Sequence, residues 1–322
     1  MAHPLSALLA ILLCLGACLG WLMLSGRVLD RLMPERAVLI RPWLFLAPAG
    51  LIVAFCLVWP LLNTVWLALH GPNGVGFVGF GNFRLLAGDA RFPEAFRTTL
   101  LWLAVVPAAA TGLGLAAAGL TDRLRGGGLV RPLIFLPMAT GFVGAAVIWR
   151  LVYDYRGGGG LDEIGLLNAL WTAAGGSARP WLTQAPLNTW ALMAVLVWSQ
   201  TGFAMVILAA ALRTIPAETV EAAQLDGAGP LRIVLRIQAP QIGGAIALVW
   251  SALTLMVLKL FDLVQAMTNG QWGTQVLAGL MFDWMFGAQD SGRASAVALV
   301  LLVLAVPLLV LALHGVRREA RQ

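Results

Sequence analysis

The sequence predicts an all-α integral membrane protein, and three observations lead to that fold class. Its 322 residues are 60% hydrophobic and only 11% charged, whereas a soluble domain is about 25% charged. Seven apolar stretches are each long enough to cross the hydrocarbon layer, which takes roughly 20 helical residues. The 13 tryptophans, against two tyrosines, fit rings that anchor such segments at the level of the lipid headgroups.

The seven predicted spans lie near residues 5–25, 43–69, 98–120, 132–153, 188–212, 241–265 and 293–314. Proline and glycine interrupt several of them, which packed membrane helices tolerate because neighbouring helices satisfy the freed backbone groups. The first span has an alternative interpretation as a cleaved signal peptide. No lysine or arginine precedes its apolar run, however, and four arginines follow it. We therefore expect a retained helix.

The distribution of arginine predicts how the chain is oriented. Thirteen arginines fall in one alternating set of connections and seven in the other. Because cytoplasmic loops carry the excess of basic residues, the N-terminus is expected outside and the C-terminus in the cytoplasm. The same bias explains the net charge of +6, and since the arginines form no basic face, nucleic-acid binding is not indicated. The two longest outer connections, 71–97 and 154–187, are expected to pack as caps.

The reactive residue types do not form a site in the sequence. The three cysteines all lie in apolar stretches without metal-ligand spacing, and the three histidines lie at the ends of spans. We expect no metal, no cofactor and no catalytic centre. The chain has one lysine, Lys259, between two leucines, so it contains no phosphate-binding loop of the Walker type. Any ATP must be hydrolysed by a partner.

The connection between the fifth and sixth spans, residues 213–240, has the most informative pattern. Pro216 suits the first turn of a helix, and Glu218 and Glu221 favour the positive end of that helix. Gly227 can take the left-handed conformation that closes it. Together they predict a short helix that begins near residue 216 and ends before a tight turn.

A second short helix is predicted to open at Pro230, with Leu231, Val234 and Leu235 on one face. A rigid helix–turn–helix of this kind can fit a groove on a partner, and its acidic residues can pair with basic groups at the rim of that groove. The residues expected to couple the chain to this partner are Glu218, Glu221, Ala222, Ala223, Asp226 and Gly227.

This segment resembles the EAA signature of the permease subunits of binding-protein-dependent ABC importers. The matching residues are Glu221-Ala222-Ala223, followed by Gly227, Ile237 and Pro240. The resemblance implies a type I, MetI-like transmembrane domain, with a six-helix core formed by spans two to seven and one additional N-terminal helix. It also implies that the segment docks on a cytoplasmic ATPase. Ala239, where the family usually has leucine, keeps the apolar character of the position.

The resemblance implies three regions: an N-terminal helix with an arginine-rich connector (1–41), the transmembrane domain (42–315) and a cytoplasmic tail (316–322). It places the chain in a bacterial cytoplasmic membrane and implies a second permease subunit, an ATPase dimer and an extracytoplasmic binding protein as partners.

The implied cargo is a sugar. Phe135-Leu136-Pro137 and the stretch from Phe261-Asp262 to Gln271 resemble sugar-importer permeases of the larger, MalF-like type, and residues 141–156 are similar to α-glucoside importers. The chain has no large extracytoplasmic domain of the maltose-permease kind, so close equivalence to maltose uptake is not implied.

Candidate contacts to the cargo lie in the fifth and sixth spans. Lys259 and Asp262 are three residues apart, so in one helix they would share a face and neutralise each other, or they could line the sugar path. Aromatic faces and hydrogen-bonding groups for a sugar are offered by Trp198, Gln200, Trp250 and Ser251. The same residues could instead serve only in helix packing.

Two other classes of membrane protein fit the sequence less well than an importer. A secondary transporter driven by protons or sodium would need several carboxylates near the middle of the membrane, where only Asp262 is found. A membrane-embedded enzyme would need a cluster of acidic, histidine or cysteine residues at one membrane face. Neither explains the pattern of residues 216–240, although a permease for another small solute remains an alternative to a sugar permease.

Overall fold

The computed structural model describes residues 37–121, 127–156 and 165–319, together with the single positions 13, 16, 20, 21, 23 and 24. The chain divides into two compact units, Met1–Trp66 and Leu67–Gln322. The first predicted span, 5–25, lies largely outside the described residues and stays a prediction, as do the domain boundaries at residues 41 and 315.

The described segments are helical, and no β-strand runs through them. In chain order the helices are α1 (Ala37–Val53, continued by a π-helical stretch Ala54–Val58 and by Trp59–Ala68), α2 (Gly81–Gly88), α3 (Arg91–Thr121), α4 (Gly127–Ala139), α5 (Gly141–Val152), α6 (Leu166–Ala173), α7 (Leu187–Leu212), α8 (Ala217–Leu225), α9 (Pro230–Arg232, a π-helical stretch Ile233–Gln238, and Ala239–Gln241), α10 (Gly243–Leu258), α11 (Asp262–Thr268), α12 (Leu277–Phe282 with a π-helical stretch Asp283–Gly287) and α13 (Ser291–Glu319).

The helices account for the predicted spans two to seven. Three of those in the described part of the chain are long and apolar enough to cross a membrane: Ile40–Ala68, Arg91–Thr121 and Leu187–Leu212. The number is five if each of two bent helix pairs, α4 with α5 and α9 with α10, is one span. The seventh span falls within α13. The all-α membrane fold is therefore confirmed.

In the first unit, α1 has no buried residue within its most apolar window. A specific contact in this unit is the hydrogen bond that the indole of Trp21 donates to the carbonyl of Leu44, at 3.0 Å. A helix that is apolar on all sides is stable in lipid, because its backbone groups are satisfied internally.

In the second unit, α7 is the central helix, with 61% of its apolar window buried. It packs closely on α3 and α4 because small residues stand at the crossings. A Cβ added to Gly114 of α3 would lie 2.5 Å from the Cβ of Ala204, and one added to Gly202 would lie 2.5 Å from the carbonyl oxygen of Ile134. Close backbone approach at small residues is the usual basis of helix association in membranes.

Two of the predicted spans are bent. The fourth span, 132–153, turns by 100° between α4 and α5, because Gly141 adopts a left-handed conformation (φ +65°) that ends the first helix. The hydroxyl of Thr140 donates to the carbonyl of Pro137 at this turn, at 2.8 Å. A second bend of 84° at Ile242 separates α9 from α10.

The expectation of one continuous sixth span, 241–265, was wrong. The helix α10 ends at Leu258 with Lys259 as its C-cap, and α11 starts only at Asp262. The short helix α12 after it was not predicted, because eleven residues are too few for a spanning segment.

The connections at the end of the bundle away from α8 are packed, as expected. Asn82, which is buried, donates from its amide to the carbonyls of Ala68 and His70, at 2.8 and 2.7 Å. Asn168, also buried, donates to the carbonyl of Asp154 at 2.9 Å. A buried amide that ties several backbone groups together holds a loop in one conformation.

Candidate functional site

The predicted coupling segment forms the helix–turn–helix that its sequence indicates. The helix α8 begins directly after Pro216. It ends in a Schellman motif, in which the N–H of Ala228 donates to the carbonyl of Ala223 and that of Gly227 to the carbonyl of Gln224, each at 3.0 Å. Gly227 has φ +77°, so its predicted left-handed conformation is confirmed.

Most of the surface of α8 faces outward from the protein. Ala223 is the one buried residue of the helix, at 7% exposure, while Leu225 at its end is 89% exposed. The predicted coupling residues Glu218, Glu221, Ala222, Asp226 and Gly227 are all exposed. An exposed apolar side chain beside three carboxylates is the composition expected of a docking surface rather than of a buried connector.

The helix α9 differs from the prediction in the face that it buries. Ile233 and Val234 are buried, whereas Leu231 and Leu235 are 70% and 54% exposed. At about 100° per residue, Ile233 and Val234 lie on one side of the helix and Leu231 and Leu235 on the other, so the edge of the buried face falls between Val234 and the two leucines.

The buried face of α9 links the coupling segment to the transmembrane helices. Val234 packs on α3 at Gly119, where a Cβ would meet the Val234 side chain at 3.0 Å. The helix then bends by 84° into α10. A displacement of α8 would therefore reach both α3 and α10 through α9.

The predicted path residues on α7 lie near the middle of the 26-residue helix. Gln200 is buried, and its amide donates to the hydroxyl of Ser199, which is also buried, at 3.3 Å. A glutamine amide offers two donor hydrogens and an acceptor oxygen. Because the contact with Ser199 uses one donor, the side chain keeps hydrogen-bonding capacity for a polar cargo.

Trp198, the neighbouring candidate, takes part in an aromatic cluster between α5 and α7. Its ring meets that of Trp149 edge-on, with centroids 5.5 Å apart, and Trp149 contacts Tyr153 at 5.2 Å. The Tyr153 hydroxyl donates to the carbonyl of Ala191 at 3.2 Å. Trp198 thus has a packing role, and its predicted contact with cargo stays a prediction.

The two candidates on α10 are more accessible. Trp250 is 40% exposed. Ser251 is partly buried and donates its hydroxyl to the carbonyl of Ala247 at 2.7 Å, within its own helix. Its oxygen can still accept a hydrogen bond, so both residues keep the chemistry that the sequence suggested.

The predicted pairing of Lys259 with Asp262 on a shared helix face was wrong. The break between α10 and α11 places Lys259 at the C-terminal end of one helix and Asp262 at the first position of the next. Each charge therefore lies at the helix end whose dipole favours it. In the part of the chain that the structure describes, no ion pair joins the two.

Lys259 also lies away from the core contacted by α7. Leu253 and Val257 of α10 belong to the buried cluster that includes Leu196 of α7. At 3.6 residues per turn, Lys259 points about 200° around the helix from Val257. It lines a separate cavity between α10, α12 and α13. The structure thus does not bring Lys259 and Gln200 into one cavity.

The loop that follows α11, at the end of the bundle opposite the coupling segment, has a fixed conformation that the sequence analysis did not predict, although the stretch to Gln271 was noted there. Trp272 is 48% exposed and has a left-handed backbone, with φ +55°, which is unusual for a bulky residue. Its carbonyl accepts a hydrogen bond from the amide of Asn188 at 2.7 Å, and the hydroxyls of Thr268 and Thr274 lie 2.7 Å apart. The sequence signals for it were the polar residues and glycines around position 272 and the resemblance of the stretch ending at Gln271 to sugar-importer permeases.

Comparison with known proteins gives one family and a set of relatives. Residues 110–319 match the model of the binding-protein-dependent transport system inner membrane component family. The chain is 47% identical to the alpha-glucoside transport system permease protein AglF of Rhizobium meliloti (strain 1021), over 99% of both chains. It is 42% identical to the osmoprotective compounds uptake permease protein GgtC of Synechocystis sp. (strain ATCC 27184 / PCC 6803 / Kazusa), over 83% of this chain and 95% of the relative.

Among solved structures, a chain of a bacterial alginate ABC transporter, crystallised with an alginate pentasaccharide-bound periplasmic protein, has a TM-score of 0.74 to this protein. The match covers 90% of this chain and 98% of that one, at 20% sequence identity. At that identity the similarity concerns the fold.

Proposed function

The chain belongs to the family of inner membrane components of binding-protein-dependent transport systems, and from that membership we propose that it is a permease subunit of an ATP-driven importer of α-glucosides. The main support for an α-glucoside as the cargo is the 47% identity to an alpha-glucoside permease over 99% of both chains. The resemblance of residues 141–156 to α-glucoside importers supports the same cargo.

The proposed partners are a second permease subunit, a dimer of ATPase subunits and an extracytoplasmic binding protein that delivers the sugar. The chain itself contains no Walker-type phosphate loop, so the energy of ATP must enter from outside it. In the proposed orientation the arginine-rich connections, α8 and the C-terminus are cytoplasmic, and the N-terminus is outside.

We place the docking site of the ATPase on α8 and the turn at Gly227. Its exposed carboxylates, Glu218, Glu221 and Asp226, can pair with basic groups on the ATPase, and Leu225 can enter an apolar depression. The contact of Val234 with Gly119 and the bend at Ile242 carry the motion of the ATPase into the helices that surround the path.

We place the sugar path beside α7 and α10, with Gln200, Trp198, Trp250 and Ser251 as the candidate contacts. Aromatic faces and amide or hydroxyl groups are the usual means of holding a neutral sugar in a mostly apolar site. Asp262, exposed at the start of α11, is a further candidate at the end of the path away from α8.

Coupling is tested by reversing one charge on α8. We expect Glu221→Lys to leave the protein in the membrane but to lose the co-purifying ATPase and uptake. The matched control is Glu94→Lys, the same change at an exposed glutamate in the first turn of α3. Equal ATPase recovery from both variants would remove α8 from the docking site.

The cargo is tested by uptake of a labelled α-glucoside into cells that express the whole transport system. Competition by an unlabelled α-glucoside, and none by a sugar-free osmolyte, is the expected result. The relative that takes up osmoprotective compounds defines the second candidate. No uptake of the labelled α-glucoside, together with uptake of a labelled sugar-free osmolyte, would assign the protein to that cargo class while keeping the permease function.

A further inference from the structure

An apolar cavity of about 510 Å³ lies between α10, α12 and α13, with one charged residue at its edge. That residue is Lys259, the only lysine in the sequence. The remaining lining residues are all apolar: Leu255, Leu258, Phe261, Ala278, Met281, Phe282, Ala298, Leu301, Leu302 and Ala305. The volume is within the range of small-molecule sites, about 300–1,000 Å³.

Among the described residues, no carboxylate lies within ion-pair distance of the Lys259 ammonium group. The lining of the cavity contains no carboxylate, and none of the ion pairs found among the described residues includes Lys259. A charge in a membrane segment is costly unless it is paired or reaches water. An occupant with a negative group would supply that pairing.

The depth of Lys259 in the membrane can be worked out from α10. That helix has 16 residues, so it is about 24 Å long, and it starts at the 84° bend that follows α9. If α10 stands perpendicular to a hydrocarbon layer about 30 Å thick, with the bend at one boundary, Lys259 lies roughly 6 Å below the other boundary. A lysine side chain can reach a headgroup from that depth.

The apolar part of the cavity extends from Lys259 toward the middle of the membrane. It follows α13 from Ala298 to Ala305, two turns or about 10 Å along the helix axis. The cavity exists because alanines on α12 and α13 have small side chains, and large side chains such as Phe282 border it. The cavity thus has a cation near the membrane boundary and an apolar body beneath it.

We propose that this cavity binds an anionic membrane phospholipid, with an acyl chain between α10 and α13 and its headgroup phosphate on the ammonium of Lys259. In the cavity, as in such a lipid, the charged group lies near the membrane boundary and the apolar part lies beneath it. Basic pockets between membrane helices on the cytoplasmic side recognise anionic headgroups in this way, and we extend the same pairing to the other end of α10. The bound lipid would connect the end of α10 to α12 and α13, and so support the break that follows Lys259.

The unique lysine provides a direct test. In vesicles that hold the protein with its co-purifying subunits, an amine-reactive reagent labels Lys259, and the rate is followed by mass spectrometry. Replacing phosphatidylcholine by phosphatidylglycerol should slow labelling about fivefold, which corresponds to roughly 1 kcal/mol for one lysine at an anionic lipid. Soluble glycerol phosphate should give no protection, since it lacks the chain that fills the cavity.

A second lysine controls for the general effect of a charged surface. Arg84→Lys introduces an exposed lysine on α2, outside the cavity. Its labelling should change much less between the two lipids than that of Lys259. Equal slowing at both positions would overturn the proposal.

Native mass spectrometry of lipid adducts separates the headgroup contact from the chain contact. Lys259→Met should lose the preference for phosphatidylglycerol, and Lys259→Arg should keep it. Ala298→Leu should lower retention of both lipids. Unchanged preference in Lys259→Met contradicts the proposal, as does full protection of Lys259 in the delipidated complex, which would assign the cavity to the second permease subunit.

Discussion

Replacement of Gly227 by alanine isolates the backbone geometry of the proposed coupling segment. Gly227 has φ +77°, and no atom lies within 4 Å of the position that a Cβ would occupy. The cost of alanine there is thus purely conformational, about 1–2 kcal/mol for an L-residue in the left-handed region. We expect the native conformation of the turn to be less populated, and the affinity for the ATPase to be weaker, by a factor of roughly 5–30.

Gly229→Ala is the matched control, two residues further on. Its surroundings are equally open, but its φ of −68° is one that any residue adopts. Alanine there should be neutral or slightly stabilising. The assay is titration of the purified ATPase onto each variant in vesicles. Equal affinity for the two variants would refute the role of the turn in docking.

Three further results follow from the packing and the path. Gly202→Ala places a Cβ 2.5 Å from the carbonyl oxygen of Ile134. It should lower the free energy of unfolding by about 1–3 kcal/mol, measured by thermal unfolding in detergent. Gly112→Ala, where a Cβ has no neighbour within 4 Å, is the control and should leave stability unchanged. Gln200→Leu should raise the KM for uptake about two- to tenfold, the value of one hydrogen bond, with assembly of the complex unchanged. Asn168→Ala should cost roughly 1–3 kcal/mol in the same unfolding assay. The reason is that the Trp181 indole, which donates to Asn168 at 2.8 Å, loses its acceptor. No loss of stability would contradict the role of this amide in holding the connection 154–187 in one conformation.

The parts of the fold that the sequence predicts correctly are those governed by local chemistry. The length of each apolar stretch predicts the spans, because an α-helix makes all of its backbone hydrogen bonds within one segment and so is stable in lipid. Gly227 and Pro230 set the turn in the coupling segment, because their conformational preferences are strong and local. These features do not depend on the neighbours of the segment.

The features that sequence reasoning missed depend on tertiary contacts. The stretch 241–265 is apolar throughout apart from a few residues, and nothing in its composition separates a continuous helix from one that stops at Leu258. The pairing of Lys259 with Asp262 was wrong for the same reason. The burial of Val234 without Leu231 and Leu235 likewise depends on the contact of α9 with Gly119 of α3.

The candidate path was predicted by residue type, and the structure separates its members. Gln200 and Trp198 lie on α7 within or beside the core, and Lys259 lies in a different cavity. In the sequence, the residues beside the core and the residue in the other cavity look alike, because each is a polar or aromatic residue within an apolar stretch. Only the rotation of each helix about its axis, which packing determines, tells them apart.

The most direct test of the account is uptake of a labelled α-glucoside by vesicles that contain this chain with its co-purifying permease and ATPase. The account predicts that uptake requires both ATP on the ATPase side and the binding protein on the other side, and that it persists when the proton gradient is abolished. Uptake that proceeds without ATP and collapses with the proton gradient would contradict it.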